Sequence, residues 1–523
     1  MKSIQALKAA LAVGCLLVMV GLLGVGPWWR SAAGHQEEGP SGAAYPPMEA
    51  AQPVKVGNYS VVSSIEMGVR GVSVDGNDDK YRSDVNYRAG FRVFESSFLI
   101  RAKEGYKGSL FDSLLVNSTG FGSDPYGYAR INAEKGRWYR FDANFRRNAY
   151  DNRLRNIALG QHTARYKHNF GDFDLWLLPT NRRVRFNLGY SGDRERGPGT
   201  ITTSLQGDQY QPNSTFRTRA DEVRAGVEGR VGGVNLGFLQ GFRWYQNDST
   251  FTSDLNRGNN LTNSAVLNIF RREQPMRGRA AFTRLSATTT FARRVGLTAR
   301  YTFTRVDNLD QVSFRARSRW TPRRGLSVNL NFTTRDNNNP GVGVVDRTIF
   351  GDLDTTPFSV DIKSRVFGGS VDYAPSARLG LSGGYTHMRL TTDAEILYFA
   401  GLPGNRFATG RSRYYLRDHF FYFNALAQLH RRVTAFASYR VNDDGGQGGR
   451  VSNDVGGLFI RSLPFTYQTP EARLSFRLGR RVDWNVGYQY YAYREKPPFN
   501  TGQDYRAHLP YTSLRVYFGG GDR

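Results

Sequence analysis

The sequence predicts an all-β fold, a single large antiparallel up-and-down transmembrane β-barrel of about 20 strands. Past residue 125 the chain repeats one unit, in which two runs of alternating apolar and polar residues flank a short turn. Leu326, Val328 and Leu330, for example, alternate with Ser327 and Asn329. Because successive side chains of a strand point to opposite faces, each run builds one apolar and one polar surface. A closed barrel turns the apolar surface to lipid and encloses the polar surface as a lumen.

The composition favours strands over helices as the membrane-crossing elements. Hydrophobic residues make up 39% of the 523 residues, and the mean hydropathy is negative. A bundle of membrane helices is excluded, because each helix would need about 20 apolar residues. The 29 Tyr, 34 Phe and 7 Trp suit the aromatic girdles that barrels carry at both membrane interfaces. A soluble propeller or solenoid would explain the strands, but not an export signal combined with the pattern of the last strand.

Residues 1–34 are expected to be a signal peptide. Lys2 and Lys8 form a basic front, residues 9–25 form an apolar stretch, and the small residues at 31–33 suit a cleavage site. An uncleaved anchor is the alternative. Residues 35–58, rich in Gly, Pro and Glu, are expected to be a flexible periplasmic lead-in, and residues 59–523 the barrel. The expected location is therefore the outer membrane of a Gram-negative cell.

The strands are counted back from the last one, at residues 507–518. Others are expected at 60–74, 88–102, 109–118, 126–135 and 137–150, and to begin near residues 163, 182, 220, 234, 278, 296, 311, 326, 361, 378, 416, 433, 464 and 482. The total is about 20, and an even number places both termini in the periplasm. Eighteen strands is the main alternative, because residues 110–115 could instead be a folded-in segment.

The connections predict the orientation of the barrel. Tight turns that carry Gly, Pro or paired Arg are placed on the periplasmic side, since barrels of this kind have short periplasmic turns and longer external loops. The longer connections are rich in Asn, Asp and Gly, and are expected to be external loops at residues 196–219, 248–277, 337–358, 393–415, 445–463 and 496–505.

The last strand carries a second export feature. Leu514, Val516 and Phe518 alternate with polar or aromatic residues up to the end of the strand. This pattern resembles the C-terminal signal that the outer-membrane barrel assembly machinery recognises on its substrates. That machinery is therefore an expected partner, together with outer-membrane lipid and lipopolysaccharide.

The chain is strongly basic, with 71 Lys and Arg against 45 Asp and Glu. A basic balance often indicates nucleic acid, but an exported barrel does not meet its genome, so no nucleic-acid partner is expected. An Arg on the lipid face costs about 2–4 kcal/mol at the midplane, so the strand arginines are expected to point inward. The lumen-facing candidates are Arg140, Arg146, Arg185, Arg224, Arg300, Arg315, Arg317, Arg319, Arg473, Arg477 and Arg515.

These arginines have two open interpretations. If residues such as Asp142, Glu228 and Asp483 neutralise them, they brace the wall of a wide barrel. If many lack carboxylate partners, the cationic lumen lowers the barrier for anions, as Arg and Lys rings do in anion pores. Arginines outside the lumen could instead hold lipopolysaccharide phosphates or, in the turns, anionic inner-leaflet lipids.

No motif recommends catalysis or a cofactor. The single cysteine, Cys15, lies in the expected signal peptide, and the seven histidines are scattered along the chain. The acidic residues at 75–79 offer oxygen atoms for Ca²⁺ but lack the bidentate Glu of a calcium loop, so a solvated turn is preferred. The sequence therefore predicts no enzyme, no cofactor and no metal site.

Three segments near the N-terminus carry a family resemblance. Residues 71–81 (GVSVDGNDDKY), 111–114 (FDSL) and 124–126 (DPY) are similar to the start of the decahaem-associated MtrB/PioB-type porin-like outer-membrane barrels. The resemblance implies a sheath that encloses a periplasmic multihaem cytochrome and lets electrons cross the outer membrane.

The leading functional hypothesis is thus a porin-like barrel, either a pore or a sheath for a multihaem cytochrome. An anion-favouring passive diffusion porin without a cytochrome is the alternative. A TonB-dependent-type receptor would need a globular plug, for which about 25 residues ahead of the first strand are too few. A barrel enzyme would need a clustered set of Ser, His and acidic residues.

Overall fold

A computed structural model gives the fold. It describes residues 54–103, 106, 110–121, 124–152, 163–181, 183–201, 203–205, 208–256, 267–291, 294–306, 309–347, 352–399, 407–445, 464–497 and 500–518. The expected signal peptide, most of the expected lead-in and the last five residues of the chain lie outside these ranges.

The described chain consists almost entirely of strands. The one helix within the described ranges is α1 (Asp78–Asp84). The strands are β1 (Val54–Val56), β2 (Tyr59–Arg70), β3 (Ser73–Gly76), β4 (Gly90–Ala102), β5 (Ser113–Thr119), β6 (Tyr126–Lys135), β7 (Tyr139–Asn152), β8 (Thr163–Leu177), β9 (Val184–Thr200), β10 (Thr203–Leu205), β11 (Asp208–Tyr210), β12 (Asn213–Val231), β13 (Val234–Asn256), β14 (Leu267–Phe291), β15 (Val295–Val306), β16 (Leu309–Arg323), β17 (Leu326–Arg347), β18 (Asp352–Ser376), β19 (Leu379–Phe399), β20 (Phe407–His430), β21 (Val433–Asp444), β22 (Phe465–Gln468), β23 (Glu471–Arg477), β24 (Val482–Glu495) and β25 (Tyr505–Phe518).

These strands close into a barrel in which every wall pairing is antiparallel. Each wall strand pairs with the next along the chain, and β25 returns to pair with β2 from Ser63↔Phe518 to Arg70↔Tyr511. The interrupted pair β22 and β23 occupies one position between β21 and β24. The wall therefore has 20 positions, which confirms the predicted up-and-down barrel and the predicted strand number.

Two short strands lengthen the seam between β2 and β25. β3 follows β2 after a break at Gly71 and continues the pairing with β25. β1 pairs with the first residues of β2, beyond the point where β25 ends. These three residues of β1 fall within the stretch that the sequence analysis expects to be a lead-in. The hairpin of β10 and β11 forms a separate two-stranded sheet.

The two ends of the barrel differ in their connections. At the short-turn rim, which also holds the start of β2 and the end of β25, turns such as Gly232–Gly233 and Arg324–Gly325 join the strands. At the opposite long-hairpin rim, strands continue into segments that the sequence analysis expects to be loops. β17 and β18, for example, stay paired as far as Arg347↔Asp352. The prediction of loops at 337–358 is wrong over most of that range, because the backbone pairing of β17 with β18 continues through these residues despite their Asn-, Pro- and Gly-rich composition.

The segment from Asn77 to Asp84 differs from the solvated turn that the sequence suggests. The Asn77 side chain accepts a hydrogen bond from the Lys80 backbone N–H at 2.8 Å, and Asp78 and Asp79 occupy the first turn of α1. An Asn cap and acidic residues at an N-terminus both favour a helix. Among the described residues, no helix is long and apolar enough to cross a membrane.

Candidate functional site

The outer and inner faces of the wall differ as the alternation requires. On β13, Leu236, Phe238, Phe242 and Trp244 point away from the barrel axis and are 45% to 50% exposed. On the neighbouring strand β12, the side chain of Arg224 points to the inner face and is nearly buried among polar groups. The exterior is therefore apolar and the interior polar and charged, as lipid contact outside and water inside demand.

The lumen contains a cavity of about 2720 Å³ towards the short-turn rim. Its described lining includes ten arginines and four carboxyl groups, a formal excess of six positive charges before Asp142 and Glu66, which pair with Arg130 and Arg515 from outside the lining, are counted. The arginines are Arg130, Arg146, Arg315, Arg317, Arg319, Arg378, Arg431, Arg473, Arg477 and Arg515. The carboxyl groups are those of Glu95, Asp372, Asp418 and Asp483. Seven of these arginines belong to the set that the sequence analysis assigns to the lumen.

The most regular feature of the lining is a ladder of three arginines on β16, Arg315, Arg317 and Arg319. Alternate residues of a strand lie about 7 Å apart on one face. Directly across on β17 the ladder faces Thr333, Asn331 and Asn329 in turn.

Two arginines of this ladder, Arg315 and Arg319, hydrogen-bond to hydroxyl groups of β17. The Nε of Arg315 donates to Thr333 Oγ1 at 3.3 Å, and the Nε of Arg319 donates to Ser327 Oγ at 2.9 Å. The stretch from residue 311 to 335 contains six arginines and no Asp or Glu. The ladder therefore places positive charge on the lumen without a carboxylate on either of the two strands within that stretch.

Other arginines of the expected set brace a different sector of the wall, formed by β8, β9 and β12. Arg224 donates to Asp172 at 2.7 Å and to Asp174 at 3.2 Å. Arg185 donates to Glu228 at 2.6 Å, on the strand beside it. Such pairs cross-link β8, β9 and β12 and neutralise each other, so this sector behaves as the bracing interpretation expects.

The other candidate arginines have mixed surroundings, some with a carboxylate nearby and some with an aromatic ring or another arginine. Arg140 donates to Asp142 at 3.0 Å, and the guanidinium of Arg146 lies 5.6 Å from the Tyr128 ring centre. Arg300 is directly opposite Arg315 across β15 and β16. The Nε of Arg477 lies 3.6 Å from Asp483 Oδ1. Together with Arg300, the ladder places four arginines on the adjacent strands β15 and β16.

A buried ion cluster near the long-hairpin rim was not foreseen. Asp124 accepts a hydrogen bond from Arg70 at 2.7 Å and lies 2.9 Å from the Nε of Arg92. All three side chains are at most 6% exposed. The alternation places Arg70 and Arg92 on the inner face, but Asp124 belongs to a connection, whose position no periodicity predicts.

The segment around α1 folds into the lumen near the long-hairpin rim. Tyr81 of α1 is 2% exposed and packs with Tyr505, Ala507 and Leu509, on the same face of β25 as Arg515. Tyr505 donates to Asp84 Oδ2 at 3.1 Å, and the Lys80 ammonium lies 4.2 Å from the Tyr493 ring centre. This inward segment, residues 77–89, narrows the lumen above the cavity.

A hydrogen bond from the Tyr81 phenol joins the helix of the inward segment to the residues that follow it. Tyr81 donates to the carbonyl of Tyr87 at 2.8 Å. Burial raises the pKa of the Tyr81 phenol, and burial likewise raises the pKa of Tyr87 to about 12. Both phenols therefore stay protonated at neutral pH, which the donated hydrogen bond of Tyr81 requires.

The residues of the expected assembly signal lie on the outer face of β25. Leu514 is 47% and Phe518 54% exposed, and Val516 pairs with Val482 on one side and Ile65 on the other. Phe518 ends the strand at the short-turn rim.

The described residues contain no group of three or more potential metal ligands. His168 Nε2 hydrogen-bonds with Asp193 at 2.6 Å, and the rings of His387 and His419 lie 4.7 Å apart on the outer wall. Cys15, His35 and His162 lie outside the described ranges.

No family model and no curated protein matches the chain. Solved structures resemble it in overall barrel fold. The ferric preacinetobactin receptor BauA from Acinetobacter baumannii is 11% identical, with 87% of this chain and 80% of that chain covered and a TM-score of 0.44. The copper transporter OprC is 9% identical, with 89% and 82% covered and a TM-score of 0.44. Pseudomonas aeruginosa OpdK, solved with vanillate, is 10% identical, with 88% and 99% covered and a TM-score of 0.31.

Proposed function

We propose that the chain is an outer-membrane, porin-like barrel whose lumen conducts small anions. The arginine ladder of β16 carries this proposal, because it faces a cavity with a formal excess of six positive charges. Rings of Arg or Lys favour anions over cations in pores. No catalytic role is proposed.

The size of the electrostatic effect is sufficient for selectivity. An anion 8 Å from one unit charge gains about 0.5 kcal/mol at the dielectric constant of water, and more near a protein wall. Several arginines act together, so the preference amounts to a few kcal/mol before screening. The Debye length is about 10 Å at 0.1 M salt and 3 Å at 1 M, so the preference should fall at high salt.

The cavity suits ions and small solutes. Its volume is about 2720 Å³. A domain of 100 residues has a radius of gyration of about 13 Å and would occupy far more space. A sheath around a multihaem cytochrome is the second proposal, and the resemblance of residues 71–81, 111–114 and 124–126 supports it. In that arrangement the cytochrome would contact the basic lining and displace the inward segment.

Planar-bilayer recording of the purified barrel tests the anion proposal. In a tenfold KCl gradient we expect the reversal potential to have the sign of a chloride-preferring pore. When both concentrations are raised at the same tenfold ratio, the magnitude of the reversal potential should fall, because salt screens the arginines. A cation-preferring reversal potential would contradict the proposal. Copurification of a c-type multihaem protein from membranes, detected by haem staining, would support the sheath.

A further inference from the structure

Three arginines form a row across the outer wall, away from the lumen. Arg365 on β18 is directly opposite Arg389 on β19, which is directly opposite Arg417 on β20. They share the outward side of their strands with Phe367 and Phe421, which are 51% and 47% exposed. Neighbouring strands lie about 4.8 Å apart, so the arginine row spans about 10 Å.

The contacts of the arginine row leave its positive charge largely uncompensated. Arg365 pairs with Asp336. Arg389 and Arg417 both lie over the Tyr415 ring, at 5.0 and 5.7 Å from its centre. Within the described part of the chain neither of these two guanidinium groups pairs with a carboxylate. Like charges directly opposite each other on adjacent strands are destabilising, so a bound anion would relieve this arrangement.

The height of the arginine row on the wall points to the type of anion. Arg389 is ten residues from the start of β19, which is about 34 Å along a strand and about 24 Å of height at a tilt of 45°. The apolar band of a barrel is about 25 Å tall. The row therefore lies at the upper edge of the band, at the level of lipid headgroups and on the side of the long-hairpin rim.

Further polar groups border the arginine row. Lys363 is exposed and lies two residues from Arg365 on β18, on the same face and nearer the long-hairpin rim. Below the arginine row, His387 and His419 face each other, Tyr385 Oη hydrogen-bonds with His419 Nδ1 at 2.8 Å, and His387 Nδ1 is buried without a partner. Phe367 is directly beside His387, and the exposed apolar residues Val371, Phe421 and Phe423 lie below the histidines, towards the short-turn rim. The patch thus combines cations, hydrogen-bonding groups and an apolar surface, which are the three kinds of contact that the phosphates, sugars and acyl chains of a glycolipid require.

We propose that the arginine row binds the phosphate groups of a phosphorylated glycolipid of the outer leaflet. A guanidinium group can donate two parallel hydrogen bonds to two oxygens of one phosphate. Arg389 and Arg417 can do so directly, and Arg365, which holds Asp336, adds charge at the end of the row. The histidines and tyrosines below would contact the sugar, and the phenylalanines the acyl chains. This proposal rests on an outer-membrane location and not on anion conduction through the lumen.

A titration of delipidated barrel in detergent tests the proposal. The probes are diphosphorylated lipid A, the same lipid without phosphates, and phosphatidylglycerol, with retention measured by native mass spectrometry. The R389Q/R417Q variant removes two charges of the row. The R271Q/R277Q variant is the matched control, because it removes two exposed arginines from β14. We expect wild type and control to retain diphosphorylated lipid A at least about tenfold more tightly than the row variant.

Three results would overturn the assignment: equal retention by the row variant and the control, equal retention of the dephosphorylated lipid, or equal retention of phosphatidylglycerol. The R389K/R417K variant keeps the charge but not the paired donors, and should give intermediate retention. Heat-modifiable migration on gels shows whether each variant is folded. Bilayer recordings of the row variant should keep the chloride preference of wild type, so the two proposals fail independently.

Discussion

Glu66 of the first wall strand and Arg515 of the last one are bonded directly across the seam that closes the barrel. The Nε of Arg515 donates to Glu66 Oε2 at 3.0 Å. Ser513 and Asn485 donate to the other carboxylate oxygen at 2.6 and 3.0 Å. Glu66 is 3% exposed, so these three residues replace the water that its carboxylate would otherwise bind.

Replacing Glu66 should therefore weaken the whole barrel. E66Q leaves the guanidinium of Arg515 with Glu95 alone, and breaking a buried ion pair costs about 3–5 kcal/mol. We expect a loss of about 3 kcal/mol in the free energy of unfolding, measured by urea titration with tryptophan fluorescence in detergent. The control E134Q removes an exposed carboxylate and should stay within about 0.5 kcal/mol of wild type. Equal stability of both variants would contradict the role of the seam pair.

The Asp124 cluster should be equally sensitive. D124N leaves Arg70 and Arg92, both nearly fully buried, to repel each other without a counter-charge. The expected loss of stability is about 3–5 kcal/mol, by the same measurement. The exposed Asp75 provides a control, D75N, with little expected change. A stable D124N variant would show that water or another group compensates the two arginines.

The inward segment should limit the current through the lumen. Replacing residues 78–88 by a Gly-Ser linker of equal length removes α1 and its packing against Tyr505 and Tyr493. We expect a larger single-channel conductance, because the lumen widens above the cavity. An unchanged conductance would mean that ions pass beside the segment rather than against it.

The arginine ladder should set the ion preference. The R315Q/R317Q/R319Q variant removes three of the six excess charges of the cavity. The chloride-to-potassium permeability ratio should fall by about tenfold at low salt, equivalent to about 1.4 kcal/mol. R271Q, outside the lumen, should leave the ratio unchanged. A ratio unaffected by the triple variant would assign selectivity to another part of the wall.

The last strand should affect assembly more than stability. Phe518 is exposed on the outer face, so F518A removes little packing. We expect slower insertion into liposomes that contain the barrel assembly machinery, and an unchanged rate into liposomes without it. Equal slowing in both would indicate a general folding defect.

The wall was predictable because the alternation of side chains between the two faces of a strand depends only on near neighbours in the sequence. Alternation assigned Arg315, Arg317 and Arg319 to one face from neighbours only two residues away. The inward segment was not predictable in this way, since its direction depends on Tyr81 meeting Tyr505, which is more than 400 residues distant. Asp124 was missed for the same reason. The long hairpins were underestimated because Asn-rich and Asp-rich runs such as 336–339 suggest loops, whereas pairing with β18 holds them extended.

The seam also constrains how the molecule can form. Glu66 and Arg515 are 449 residues apart, and closing a flexible loop of that length costs about 5 kcal/mol by chain entropy. β2 has no strand to complete its edge until β25, the last strand of the chain, has been synthesised. Closure of the barrel therefore waits for the last strand, and the seam edge of β2 stays without its partner until then.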